Sequence, residues 1–249
     1  MHNTEIGRCF EPHCIATHEI DPRETDLPRI HFHLQLAALK DKLLAMAALS
    51  QQAVESAVEA WLQRDPSLCQ YVRDNETAIN TAQREVDDMA YELLSREQPM
   101  AIDLRFILAV IKINADLERI GDMAVSIAIR ALDHLDHDPV DLPVDIAGMG
   151  AFATRMIRSA VQSLLDGDAL LAESVREMDD EIDRMNRVAI TDLTKVIQEH
   201  PELADQALAA ILISRNLERI ADHATNIAID VIFWVRGADL RHQLSMAVD

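Results

Sequence analysis

Two short acidic pairs are the residues of this chain best suited to chemistry. Glu118 and Asp122 lie in Ala115-Asp116-Leu117-Glu118-Arg119-Ile120-Gly121-Asp122-Met123-Ala124. Glu218 and Asp222 lie in Arg215-Asn216-Leu217-Glu218-Arg219-Ile220-Ala221-Asp222-His223-Ala224. On a helix, side chains four residues apart share a face, so each pair aims two acceptor-only carboxylates in one direction. That is the chemistry of holding a hard or borderline cation. Both copies run on into an Ile-Ala-Ile, Ile127–Ile129 and Ile227–Ile229, and matching positions differ by one constant step, 218 − 118 = 100. The chain therefore reads as two copies of one helical unit.

At about 100° per residue, Leu117, Ile120, Ala124 and Ala128 form a core stripe. Arg105, Lys112, Asp116, Arg119 and Arg130 gather on a face that reads as solvated. Glu118 and Asp122 fall on neither. They share an edge with Ile111, Val125 and Ile129, as Glu218 and Asp222 do with Ile211 and Ile229. Carboxylates one turn apart repel by about 0.2–0.5 kcal/mol even in water. A pair kept on an otherwise apolar strip asks for a counter-charge. With 27% charged residues, one such pair alone would read as a solvated pair. Two in one register are what make the cation reading.

The 249 residues suffice for one large core or two modest ones, and aromatics are only 4%, which suits helix-on-helix packing. Six glycines leave few breaks, so long helices are expected. The net charge of −20 and the pI near 4.7 argue against a nucleic-acid partner and against unaided adhesion to anionic lipid. Three cysteines, Cys9, Cys14 and Cys69, make no disulfide framework. No signal peptide and no apolar run of membrane-spanning length is legible, so a cytoplasmic protein is expected.

Residues 1–28, with Pro12, Pro22 and Pro28, read as a flexible N-terminal arm. Cys9, His13, Cys14 and His18 there lack the second ligand pair of a zinc finger. Helical periodicity starts near Ile30 and continues to about Leu62. Asp65-Pro66 then breaks it, with Asp65 as cap and Pro66 at the first helical position. Further helices are predicted over about 66–96, 101–134, 145–165, 168–198 and 202–236. Residues 135–144, with Pro139 and Pro143, divide the halves. The expected fold is all-α, two tandem antiparallel three-helix bundles over 29–136 and 145–240.

The middle helix of the second half repeats the acidic spacing in Asp179 and Asp183, and the equivalent register of the first half holds Glu76 and Asn80. Antiparallel packing would set each set beside its partner motif. Each bundle would then carry four oxygen donors, with neutral Asn80 weakening the first.

Leu117-Glu118-Arg119-Ile120-Gly121-Asp122 and Leu217-Glu218-Arg219-Ile220-Ala221-Asp222, together with Gln98-Pro99, Asp103-Leu104-Arg105 and Asn226, resemble the PhoU family of phosphate-uptake regulators. The resemblance covers about residues 30–240. It implies the paired bundles, a homodimer, and divalent or trivalent metal ions at Glu118, Asp122, Glu218, Asp222, Asp179, Asp183, Glu76 and Asn80. All-oxygen ligation suits Mg, Mn, Ca or Fe, and acidic patches also take up Zn. Members resemble cytosolic adaptors between the phosphate ABC transporter, through its ATPase subunit, and a sensor histidine kinase of a two-component system. They reach the membrane only through these partners. The sequence departs from the family pattern at Ala221 and Asn80.

Two other classes compete with this regulator. A di-metal carboxylate enzyme of ferritin type would use Glu-x-x-His, and none occurs among the ten histidines. A purely structural oligomerising bundle would make the acid pairs incidental. No catalytic set is recognisable, and His223, one residue past Asp222, points to a different face and reads as a surface or interface residue. The repeated motif offers carboxylates rather than converging cations, so no tight phosphate site is expected there.

Overall fold

The computed structural model describes residues 22–96 and 99–237. Cys9, His13, Cys14, His18 and Gln98 lie outside the described residues. The described residues form six long helices: α1 (Pro22–Gln63), α2 (Pro66–Arg96), α3 (Ala101–Asp133), α4 (Ile146–Asp166), α5 (Ala169–Glu199) and α6 (Ala204–Arg236). Short 3-10 turns at His134–Asp136 and Pro201–Leu203 follow α3 and precede α6.

The helix ends follow local chemistry. Asp65 Oδ1 accepts from Ser67 N at 2.8 Å, ahead of Pro66 in the first turn of α2. Asp145 accepts from Gly148 N at 2.7 Å and starts α4, and Asp168 accepts from the amides of Leu170 and Leu171 and starts α5. Gly167 (φ 62) and Gly237 (φ 72) end α4 and α6 in the left-handed conformation that glycine adopts without penalty. Helix α1 differs from expectation by beginning at Pro22, ahead of the apolar pattern at Ile30. A proline in a first turn forfeits no intrahelical hydrogen bond, so Pro22 does not delay the helix.

Helices α1–α3 pack on one another as one antiparallel bundle and α4–α6 as a second. The bundles are fused rather than merely tethered. Helix α3 packs along α6 about as closely as along its own neighbours, α1 packs along α4, and one apolar core runs through both halves. Helices α1 and α4 approach closely at Gly150, where an added Cβ would sit 2.8 Å from both methyls of Val58. Between α2 and α3, Gly121 faces Ile79 Cδ1 at 2.9 Å in the same sense. The connection between halves is anchored as well. Trp61 stacks on His134 at 4.2 Å, Arg64 Nη2 donates to the carbonyls of Leu135 and His137, and Gln206 Nε2 donates to the carbonyl of Asp138 at 2.7 Å.

These two glycines respond oppositely to a side chain. Val58 is β-branched and buried, so Gly150→Leu overpacks the joint and lowers stability by about 1–3 kcal/mol. At Gly121 only the far end of Ile79 must turn, and alanine adds up to ~1 kcal/mol of helix propensity. Gly121→Ala is thus neutral or slightly stabilising, as Ala221 is tolerated in the second copy. Urea unfolding of both variants checks the contrast. Equal losses would contradict it.

Candidate metal centre

The carboxylates are positioned by three helix pairings. Asn114 on α3 donates through Nδ2 to the Gln83 carbonyl and to Asp87 Oδ1, both at 2.9 Å, and Gly121 faces Ile79. This antiparallel register sets Glu76 and Asn80 of α2 level with the Glu118–Asp122 turn. In the second bundle Ser214 Oγ donates to Asn186 Oδ1 at 2.8 Å and Thr225 Oγ1 to Asp179 Oδ1 at 3.1 Å. These contacts set Asp179 and Asp183 beside Glu218 and Asp222. The third pairing joins the halves. His223 Nδ1 lies 2.7 Å from Asp116 Oδ1, Lys112 Nζ 3.5 Å from Asp230 Oδ1, and Arg105 Nε donates to the Trp234 carbonyl at 3.2 Å. Helices α3 and α6 therefore run antiparallel and cross near Ile120 and Ile220, both fully buried.

That crossing corrects one expectation. Arg105, Lys112 and Asp116 are not on a solvated face; they line the seam with α6. Arg119 alone of the three nearest the motif keeps the exposed position expected of it, 64% open and 3.6 Å from Glu118. A polar helix face covered by a second polar helix face looks, in sequence, like one facing water. His223 is at an interface, as its register allows, and lies within electrostatic reach of both Glu118 and Asp222.

In the second bundle the four acids act on one another. Burial pushes the Glu218 carboxyl up, and Asp222, Asp183 and Asp179 push it further, with Arg215 opposing. Asp222 is raised by burial and then by Asp179 and Asp183, against His223 and Arg219. Asp179 is raised by burial and by Asp183 and Asp180, although the Thr225 hydroxyl pulls it down. Asp183 is partly countered by Arg187 Nη1 at 3.5 Å. In the first bundle Glu118 is raised by burial, then by Asp122 and Glu76, with Arg119 and His223 opposing. Asn80, half-buried, carries no charge to add.

The acids expected from sequence thus lie within electrostatic reach of their motif neighbours, in two groups. Among the described residues no three histidine, cysteine or acidic side chains converge into a preformed metal cage. The groups are open clusters of oxygen donors. Their chemistry fits a hard cation, with four carboxylates in the second group and three plus an amide in the first. Sequence reasoning missed Thr225, which lies three residues past Asp222 and so on the same side of α6, and the Asp116–His223 pair.

Known proteins share this fold. The family model described as "PhoU domain" matches the chain twice, at residues 43–131 and 146–231. A Pseudomonas putida protein described as a phosphate-specific transport system accessory protein PhoU homolog is 38% identical over 212 residues, 85% of this chain and 83% of its own length. The crystal structure of PhoU from Pseudomonas aeruginosa superposes with a TM-score of 0.81 at 36% identity, covering 83% of this chain and all of that one. A Streptococcus pneumoniae phosphate transport system regulatory protein PhoU shares the fold with a TM-score of 0.77 at 23% identity.

Raised carboxylates carry a definite pH sign. Their charged forms are disfavoured by the fold, so their contribution to stability is complete at pH below the unfolded value and is lost as pH rises through the folded one. At neutral pH in chelator, Asp222→Asn removes that cost and raises Tm by roughly 1–4 °C. The gain shrinks as pH is lowered into the carboxylate range. Thermal scans at neutral and acid pH test this, and a lower Tm at neutral pH would contradict it.

Proposed function

The chain belongs to the PhoU family, and from that premise we propose that it is a negative regulator of phosphate uptake and of the phosphate-starvation response. On this reading it is a cytoplasmic, metal-binding homodimer without chemistry of its own. It bridges the ATPase subunit of a phosphate ABC transporter and the sensor histidine kinase of a two-component system. The observation that carries the reading is the double family match together with relatives named as accessory proteins of phosphate-specific transport. No helix among the described residues is long and apolar enough to cross a membrane, which favours access to the membrane through partners. The net charge of −20 speaks against a nucleic-acid target.

An adaptor works by binding one state of a partner better than another, so that its presence shifts a population. Metal ions would enter at Glu118, Asp122, Glu76 and Asn80, and at Glu218, Asp222, Asp179 and Asp183. What supports them is carboxylates gathered closely enough to push one another up in both copies, in excess of the arginines and the histidine that oppose them. A bound Mg, Mn, Fe or Zn ion would supply positive charge and fix the two helices of each pair. The donor sets contain no histidine, unlike the Glu-x-x-His sets of di-metal carboxylate enzymes, which favours a regulatory over a catalytic role.

Deleting the gene in its host should raise phosphatase secretion in phosphate-rich medium, and the intact gene should restore repression. Unchanged low activity would count against the regulator. For the metals, Glu218→Ala with Asp222→Ala should remove more metal per chain, by elemental analysis after dialysis, than Glu118→Ala with Asp122→Ala. Equal losses would sink the idea that Asn80 weakens the first group.

A further inference from the structure

The connection between the halves borders a hollow of about 420 Å³, a size in the range of small-molecule sites. The end of α1, the corner before α2, the 3-10 turn after α3, the connecting segment and the start of α4 all contribute to it. Leu62, Val140, Leu142 and Val144 supply apolar walls. Four side chains supply polarity: Arg64, His134, Asp141 and Asp145.

Two of these four keep a buried nitrogen without a partner. Arg64 Nη2 donates to the carbonyls of Leu135 and His137, at 3.2 and 2.5 Å, but Nη1 is buried and reaches no acceptor among the described residues. His134 is 7% exposed, and its Nδ1 is buried and unpartnered in the same way. Buried polar atoms in this condition are uncommon and cost stability until a partner meets them. Clamping the connection explains Arg64 Nη2 and leaves Nη1 unexplained. Arg64 also stands at φ 54, a conformation that glycine adopts without penalty, so its side chain rather than its backbone accounts for an arginine at this corner.

The charges of the hollow decide what fits. Arg64 is the one fixed cation among the described residues that line it. Burial first, then Arg64 and His137, push the His134 ring below the usual histidine range, toward its neutral form. Arg64 Nη1 can only donate, and Nδ1 of a neutral imidazole donates in one tautomer, so a carboxylate can accept from both. Inorganic phosphate carries more than one negative charge at neutral pH and would face a single cation with two aspartates in the same hollow. A carboxylate brings one charge. The aspartates, exposed Asp141 and Asp145, whose Oδ1 caps α4, complement an ammonium instead.

We propose that this hollow binds an apolar α-amino acid. Its carboxylate is received by Arg64 Nη1 and His134 Nδ1, its ammonium lies toward Asp141 and Asp145, and its side chain lies against Leu62, Val140 and Leu142. This occupant gives every charge that lines the hollow an opposite one. Its contacts come from both halves and from the connection, so the bound molecule ties the halves together. None of these residues belongs to the acidic groups, and the proposal stands apart from the metal and regulator readings.

The test is saturation-transfer NMR and calorimetry on the full chain, with L-leucine as probe. A ligand of this size should bind with a Kd of roughly 0.1–1 mM. Leucinamide lacks the carboxylate and isocaproate lacks the ammonium; each should bind about tenfold more weakly. His134→Phe keeps a ring for Trp61 to stack on, removes Nδ1, and should weaken leucine about fivefold. Arg64→Gly suits the backbone and should abolish binding. Asp141→Asn should weaken leucine about threefold and leave isocaproate unchanged. Circular dichroism confirms folding, and if Arg64→Gly unfolds the chain, His134→Phe and Asp141→Asn carry the test. No signal at about 10 mM leucine overturns the proposal, because that exceeds the weakest expected Kd tenfold. So does leucinamide or isocaproate binding as tightly as leucine, or His134→Phe binding as the native chain does. Inorganic phosphate binding more tightly than leucine also overturns it, since the hollow would then be an oxyanion site.

Discussion

The antiparallel pairing of α3 with α6 is the contact on which the remaining structure depends. Each helix closes its own bundle and carries one copy of the repeat. Had the two run parallel and in different registers, the acidic turns would lie far apart. Running opposite ways and crossing near Ile120 and Ile220, they come to lie side by side at the centre of the molecule. The same crossing lets one core continue through both bundles, so neither half has an apolar face left exposed toward the other. The seam uses charged residues where a core would use leucine. Lys112 serves twice, reaching Asp230 and lying 5.1 Å above the Phe233 ring.

Placing the acids beside that seam costs stability. Glu118, Asp179, Glu218 and Asp222 are each raised first by burial and then by other carboxylates, and the nearby Arg119, Arg215, Arg219 and Thr225 do not reverse the direction. The surrounding core bears the cost, since each fully buried Leu or Ile side chain contributes about 1.5–3 kcal/mol. Leu117, Ile120, Leu217 and Ile220 flank the motifs at zero exposure. Rigid apolar support beside strained polar groups is the arrangement expected of a site kept for binding rather than for folding.

Much of this is legible in the sequence; the early start of α1 apart, the differences have one cause. The break at Asp65-Pro66 is readable because caps and breakers act within a few residues. The acid pairs were readable because a four-residue spacing on an apolar strip is a local pattern, and the repeat supplied the bundle count. What failed depends on contacts between distant segments. Arg105, Lys112 and Asp116 follow the same period as a solvated face, and only α6 distinguishes the two. The grip of Arg64 on the Leu135 and His137 carbonyls, held despite a φ of 54 at a non-glycine residue, carries no sequence signature either.

The two halves, although copies, are not interchangeable at the seam. Asp116 pairs with His223, but the repeat counterparts of these residues are Asn216 and Met123, which cannot form an ion pair. Lys112 and Asp230 correspond likewise to Leu212 and Arg130. The side-chain links between α3 and α6 described above therefore sit at the end of the crossing that joins the α3 N-terminus to the α6 C-terminus. Nor are the acidic groups equal, since Asn80 stands where Asp183 stands in the second half. A symmetric duplex would present two identical sites to identical partners. This one has four carboxylates in one group and three with an amide in the other, so its charge is divided unequally between the halves.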